Sequence, residues 1–399
     1  MENIIISVCP GFSAPFLKSY KNGCTTLELY TEKSTVYCKV NYDFSPEPLK
    51  LSGTYKNGNS LELILMPHRI ELYSDGILLD EEWPAGSRIF LPDDPIETNC
   101  KISIKDYSSA TKNEPSVTGT FQNASGWRPE ENVYVGDCMP YTDSGRYHVL
   151  YLKDRHHHTS KWNLGAHQWE HISTKDFINW DIHPMAVAIT DKAEASICTG
   201  SHIRRNKTHC LYYTVRTCDN SPAPICRSIS YDGYHFKKDK NFSFELSDKY
   251  DRVSARDPKV ILGKDGLYHM LLTTRLISED KGCLAHLISQ DMNQWTELNL
   301  PEHICDDNTE PECPDYIEYN GFYYLIYSLQ GKAYYKYSSE PFGKWKTPSN
   351  PVVPCSSVPK GAVWNDKIIF TGFERLGGYA GTMTFKSATN TPKGELVFD

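Results

Sequence analysis

KDGLYHMLLTT, residues 264–274, is an Asp-Gly turn running into an apolar strand with an aromatic at its head, and SQDMNQW (289–295) follows with a serine, a turn and a second aromatic. Asp-Gly between alternating segments is a strong hairpin signal, because the turn needs positive φ that Gly adopts without strain. The strand unit recurs in DSGRYHVLYL (143–152), NKTHCLYYT (206–214) and YNGFYYLIYSL (319–329), and more weakly in NDKIIFTGF (365–373). The serine-turn-aromatic unit recurs in STKDFINW (173–180), SISYDGYHF (228–236) and SSEPFGKW (338–345). Strand starts at Tyr147, His209, Tyr268 and Tyr323 lie 62, 59 and 55 residues apart, room for one four-stranded blade each. Five copies imply a five-bladed β-propeller over residues 126–399. Its inner strands all face one axis, so side chains remote in sequence converge there.

Residues 1–125 lack the repeat. TYKNGNSLELILM (54–66) and HRIELYSDGILLDEEWP (68–84) are short alternating segments, the second broken by a hairpin-forming SDG. We expect a separate β-sandwich accessory domain there, joined through the polar segment TKNEPSVTGTFQNASG (111–126). No window sustains a 3.6-residue apolar period, so the fold class is all-β.

Charge and cysteine usage narrow the partners. The 399 residues carry 42 basic and 50 acidic groups, net −8, with no basic run that would track phosphates, so nucleic acid is excluded as an expected partner. No stretch approaches the ~20 apolar residues of a membrane helix. The thirteen cysteines are scattered singly with no CxxC pair, which fits reduced thiols and a cytoplasmic location. MENIIISVCPGF opens on an acid and has too short an apolar run for a signal peptide.

Three acid-bearing motifs stand at inner-strand positions: VYVGDCMPY with Asp137, SARDPKVI with Asp257 and EPECPDYI with Glu312. Glycoside hydrolysis needs such a set, one carboxylate to attack or activate water and one protonated carboxyl to donate to the leaving oxygen. RDP and ECPD, each with an apolar strand behind it, resemble signatures of glycoside hydrolase family 32, the invertases, levanases and inulinases. LGAHQWEHISTKDFINWDIHPMAV (164–187) is similar to that family's WGHAxSxDxxxWxHxPxA region, CTGSHI (198–203) to its FSGS motif and GGYAGTMTF (377–385) to its YAG stretch. The resemblance covers about residues 130–399. It implies a propeller catalytic domain in which Asp137 is the nucleophile, Glu312 the acid/base and Asp257 the transition-state stabiliser. Arg256, Cys313, Thr199 and Gly200 are then implied around the substrate.

The chain also departs from the family. GDCMP stands for NDPNG, LYLKDRHHH (150–158) lacks the family's Gln, VPKGAVWND (358–366) replaces an aromatic-alanine stretch, and the tryptophan usual before the first-blade glycine is displaced to Trp162. We expect Trp162 as a stacking platform, Trp169 as blade core and His158 as a sugar contact. The His156–His158 run with His167 and His171 raises zinc, but neighbours on an extended chain point to opposite faces, so no metal and no cofactor are expected. The expected protein is a cytoplasmic β-fructofuranosidase that retains configuration on a small fructoside such as sucrose or a fructo-oligosaccharide. A family 43-like furanosidase or xylosidase and a lapsed sugar-binding propeller are the alternatives; nothing in the sequence speaks to oligomeric state.

Overall fold

The computed structural model describes residues 4–9, 15–43, 47–66, 70–82, 88–106, 119–120, 126–129, 133–154, 167–191, 193–217 and 219–399, and every regular element among them is a β-strand. The chain separates into two compact units that divide between Asn113 and Glu114.

The first unit is a β-sandwich of two antiparallel five-stranded sheets. One runs Lys101–Asp106, Ile4–Cys9, Leu61–Leu65, Ile70–Ser74, Ile77–Glu82; the other runs Leu49–Thr54, Thr35–Val40, Cys24–Glu32, Leu17–Lys21, Ile96–Thr98. Alternation selects the inner faces: Val36, Cys38 and Val40 are buried while Thr35, Tyr37 and Lys39 are half-exposed. Those inner side chains share a core with Ile4, Ile6 and Val8 of the facing sheet. The SDG signal is the expected hairpin, with Asp75 at φ 49° and Gly76 at φ 80°.

The second unit is a five-bladed β-propeller with inner strands Tyr134–Asp143, Glu194–Arg205, Arg256–Leu262, Glu312–Tyr319 and Ser357–Trp364. Strand Gly119–Thr120 pairs with Asn179–Val187 at the outside of the first blade, so the propeller's sheet reaches back ahead of residue 126. The ring closes where the first and fifth blades pair at Val135–Gly381 and Trp127–Met383. The serine-turn repeat has a local cause. In the third blade Ser289 Oγ accepts the Met292 amide and Asp291 Oδ1 accepts those of Asn293 and Gln294; Thr174 and Asp176 do the same in the first. The following aromatics, such as Trp180, pack into the blade.

Each inner strand carries a register shift at the same place: Val135/Cys138, Ile197/Gly200, Arg256/Lys259, Glu312/Asp315 and Ser357/Lys360. An extra residue bends the strand and re-aims its side chains. Asp257, Cys313 and Val358 take left-handed φ of 60°, 51° and 48° there, strain held by the surrounding blades. Just beyond the bulges a polar core spans four blades. Lys259 Nζ lies 2.5 Å from Asp315 Oδ1, Asp315 Oδ2 accepts the Gly361 amide at 2.7 Å, and Lys360 Nζ donates to the Gly200 carbonyl at 2.9 Å. Asp315 and Lys360 are fully buried, and burial pulls the Lys360 ammonium below its usual range against the opposing charge of Asp315.

Candidate active site

The five bulges surround a cavity of about 340 Å³ lined by Asp137, Thr199, Arg256, Asp257, Glu312, Cys313 and Tyr379, among others. The fold thus brings together the three acids that sequence places up to 175 residues apart, with three of their expected neighbours. Asp137 sits at the first bulge, half-buried. Its Oδ1 accepts the Tyr379 hydroxyl at 2.7 Å, its Oδ2 accepts Thr199 Oγ1 at 2.9 Å, and the Cys313 thiol points at Oδ2 from 3.4 Å. Three donors from three other blades fix the carboxylate's orientation.

Asp257 is 3% exposed. The Cys313 amide donates to its Oδ2 at 3.0 Å, and Arg256 Nε stands 3.7 Å away. Burial raises its pKa above the usual carboxylate range, Arg256 and the Cys313 amide oppose this, and Asp137 adds to it. The bulge is held by the buried Ser201, whose Oγ donates to the Pro258 carbonyl and accepts the Val260 amide.

Glu312 is half-buried, its Oε1 3.0 Å from Arg256 Nη2, while Arg256 Nη1 is shared with Glu310. Its pKa is also raised, by burial first, with Arg256 pulling down and Asp257 and then Asp137 pushing up. Arg256 itself is raised: burial lowers it, and Asp257, Glu310 and Glu312 outweigh that. Arg256 is therefore the common counterion of the acid cluster. Cys313 is a hydrogen-bond donor here, its thiol pushed well up by burial and by Asp257 and Asp137, so it is no thiolate nucleophile.

Three expected substrate-side residues remain to be placed. Gly200 does not line the cavity; a Cβ there would meet the Tyr212 carbonyl at 1.8 Å, so its role is close strand packing under Trp169. Trp162 and His158 lie outside the described residues. Trp169 is core, fully buried, with Nε1 donating to the Cys198 carbonyl at 3.0 Å. The GDCMP departure is internal: the Cys138 thiol turns into the blade toward the Gly136 and Gly372 carbonyls. Gly136 has its own reason, since a Cβ would stand 2.8 Å from the Tyr379 hydroxyl oxygen. His167, noted in the sequence with the neighbouring histidines, lines the cavity with Nε2 2.9 Å from Asp154 Oδ1, whereas sequence reasoning missed the exposed Arg216 and Arg375. Tyr379 was inside the quoted YAG stretch, but only its placement reveals it as Asp137's partner.

A propeller that presents three carboxylates, an arginine and a tyrosine to one axial cavity belongs to a class built for glycosyl chemistry. The family model for the glycosyl hydrolases family 32 N-terminal domain matches residues 135–353, more than half of the chain, and the chain belongs to that family. It is 28% identical over 218 residues to raffinose invertase of Escherichia coli, covering 52% of this chain and 42% of that protein. It is 29% identical over 197 residues to sucrose-6-phosphate hydrolase of Bacillus subtilis (strain 168), covering 46% and 40%. The chain spans less than half the length of either relative. Among solved structures it shares its fold with fructan 1-exohydrolase IIa from Cichorium intybus at TM-score 0.56 and 18% identity, over 72% of this chain and 60% of that one.

Proposed function

We propose that the propeller unit hydrolyses the β-fructofuranosyl bond of a small fructoside with retention of configuration. The observation that carries this reading is the paired setting of Asp137, fixed by Tyr379 and Thr199, and Glu312, whose pKa burial raises toward the protonated form an acid needs, on the same cavity. Asp137 attacks the anomeric carbon while Glu312 gives its proton to the leaving oxygen, forming a glycosyl ester on Asp137. Glu312, now a carboxylate, takes a proton from water, the resulting hydroxide displaces Asp137, and the sugar leaves with its original configuration. Asp257 holds ring hydroxyls through bonds that strengthen as charge develops at the ring. The two working carboxyls are expected about 5–5.5 Å apart, the retaining separation.

Arg216 and Arg375 lie exposed on the cavity lining. Two such guanidiniums suit a phosphate on the sugar that leaves, which agrees with the activity named for the Bacillus relative. No disulfide joins the described cysteines to one another, in keeping with a reducing, cytoplasmic location.

Incubation with sucrose, sucrose 6-phosphate, inulin-type and levan-type oligosaccharides and an aryl arabinofuranoside, with the product anomer followed by NMR, tests the proposal. Retained fructose from a fructoside supports it. An inverted product, or turnover of the arabinofuranoside alone, sinks it; binding without turnover on any substrate favours a sugar-binding propeller.

A further inference from the structure

Away from the catalytic cavity, one face of the first blade gathers three histidines from three neighbouring strands. His148 lies on Arg146–Asp154, His171 on Gln168–Thr174 and His183 on Asn179–Val187. His171 and His183 are direct cross-strand partners, and His148 pairs with Ser173, two residues along the same face. One nitrogen from each ring lies within 4.8 Å of the others. His148 Nδ1 is already 3.0 Å from His171 Nε2, close to the roughly 3.3 Å that two imidazole nitrogens keep on one tetrahedral zinc. His148 pairs with Tyr141, four residues and about 13 Å along the inner strand from Asp137, so the cluster is separate from the catalytic acids.

We propose that His148, His171 and His183 form a transition-metal site that takes zinc or a similar borderline divalent cation, with the fourth position left to water.

The cross-strand register supplies the geometry a cation needs: His148 Nδ1 and His171 Nε2 already face each other, and His183 stands directly opposite His171 on the next strand. Neighbouring side chains fix the rings: Tyr141 Oη lies 3.2 Å from His171 Nε2, a contact that a bound cation would replace, and Ser173 Oγ lies 2.7 Å from His183 Nε2 while accepting Arg146 Nε–H at 2.8 Å. Arg146 alongside is itself paired with Asp181. Tyr141 and Tyr234 wall the cluster, and the half-exposed His183 gives a route in.

The test is zinc binding by the full chain, measured by equilibrium dialysis, with cobalt as a spectroscopic probe. One zinc per chain is expected, with a rise in Tm on zinc addition. His183→Ala is expected to weaken binding at least tenfold, whereas replacing His156, His157 and His158 together by Ala leaves the stoichiometry unchanged. Cobalt bound to the unmodified chain reports without any variant: intense visible bands of a tetrahedral nitrogen-rich site are expected. No stoichiometric zinc, binding that follows the His156–His158 run in place of His183, or a weak octahedral cobalt spectrum overturns the assignment.

Discussion

The Tyr379 hydroxyl and Asp137 are bonded twice across 242 residues of sequence: the hydroxyl donates to Oδ1 at 2.7 Å and accepts the Asp137 amide at 3.2 Å. The fifth blade thereby sets the carboxylate of the first. Tyr379→Phe keeps the ring and removes this link. A hydrogen bond to a charged group contributes about 1.5–3 kcal/mol, so kcat/KM is expected to fall roughly ten- to hundredfold with little change in Tm. Gly136→Ala, which crowds the same hydroxyl, should act in the same direction. Unchanged kcat/KM in the Phe variant would remove Tyr379 from the catalytic apparatus.

Glu312 must be protonated to act as acid, so kcat/KM is expected to decline as pH rises through its raised pKa. Arg256 favours the ionised form, and Arg256→Gln should move that alkaline limb to higher pH while lowering activity throughout. Glu312→Gln should abolish the limb, be severely slow on sucrose-like substrates, and recover its first step on an activated fructoside whose leaving group needs no proton. Added azide should then yield a fructosyl azide of retained configuration. Equal loss on both leaving groups would contradict the acid role.

Asp257→Asn separates catalysis from stability. Loss of one charge-assisted contact in the transition state costs about 2–4 kcal/mol at comparable sites, so kcat should drop more than affinity. Stability should move the other way. A carboxyl whose folded pKa lies above its unfolded one stabilises the fold below the unfolded pKa and loses that contribution as pH rises through the folded value. The always-neutral Asn variant is therefore expected to melt higher than wild type at neutral pH and to show no gain in acid. Calorimetry across pH reads the difference; a lower Tm at neutral pH contradicts it.

Asp315 is the buried counterion of Lys259 and stands beside the buried Lys360. Removing it leaves ammonium groups unpaired, so Asp315→Ala is expected to cost about 3–5 kcal/mol. A large fall in the propeller's melting temperature should follow. A change within measurement error would mean that the two lysines find other acceptors.

Arg216→Ala and Arg375→Ala are expected to leave turnover of unphosphorylated sucrose nearly unchanged and to raise KM for sucrose 6-phosphate at least tenfold. Equal effects on both substrates would assign these arginines to general packing of the cavity rim.

Much of this molecule was legible because strand and turn chemistry are local. Gly- or Asn-bearing turns and serine or threonine turns work over three or four residues, so their recurrence at blade spacing shows in the string of letters and carries the propeller with it. Asp137, Asp257 and Glu312 were legible because each lies in a short motif on an inner strand. Arg216 and Arg375 were not, since nothing beside them in sequence marks an inward aim. Gly200 misled because a motif glycine suggests ligand approach, whereas its actual constraint is the Tyr212 carbonyl of the next strand.

By itself, then, the sequence determined the all-β class and pointed to three acids that the fold gathers at one cavity. Only tertiary structure decided what surrounds each of them. The upward shift of Glu312 comes from its burial and from the opposed charges of Arg256 and Asp257, and the orientation of Asp137 is set by Tyr379 from the far end of the chain. The histidines divide likewise: the run at 156–158 catches the eye, yet the three rings that meet stand on separate strands, brought together by cross-strand register. Electrostatic energies and coordination depend on distances of a few ångströms, and closing a sheet into blades sets those distances between residues whose separation along the chain carries no information about them.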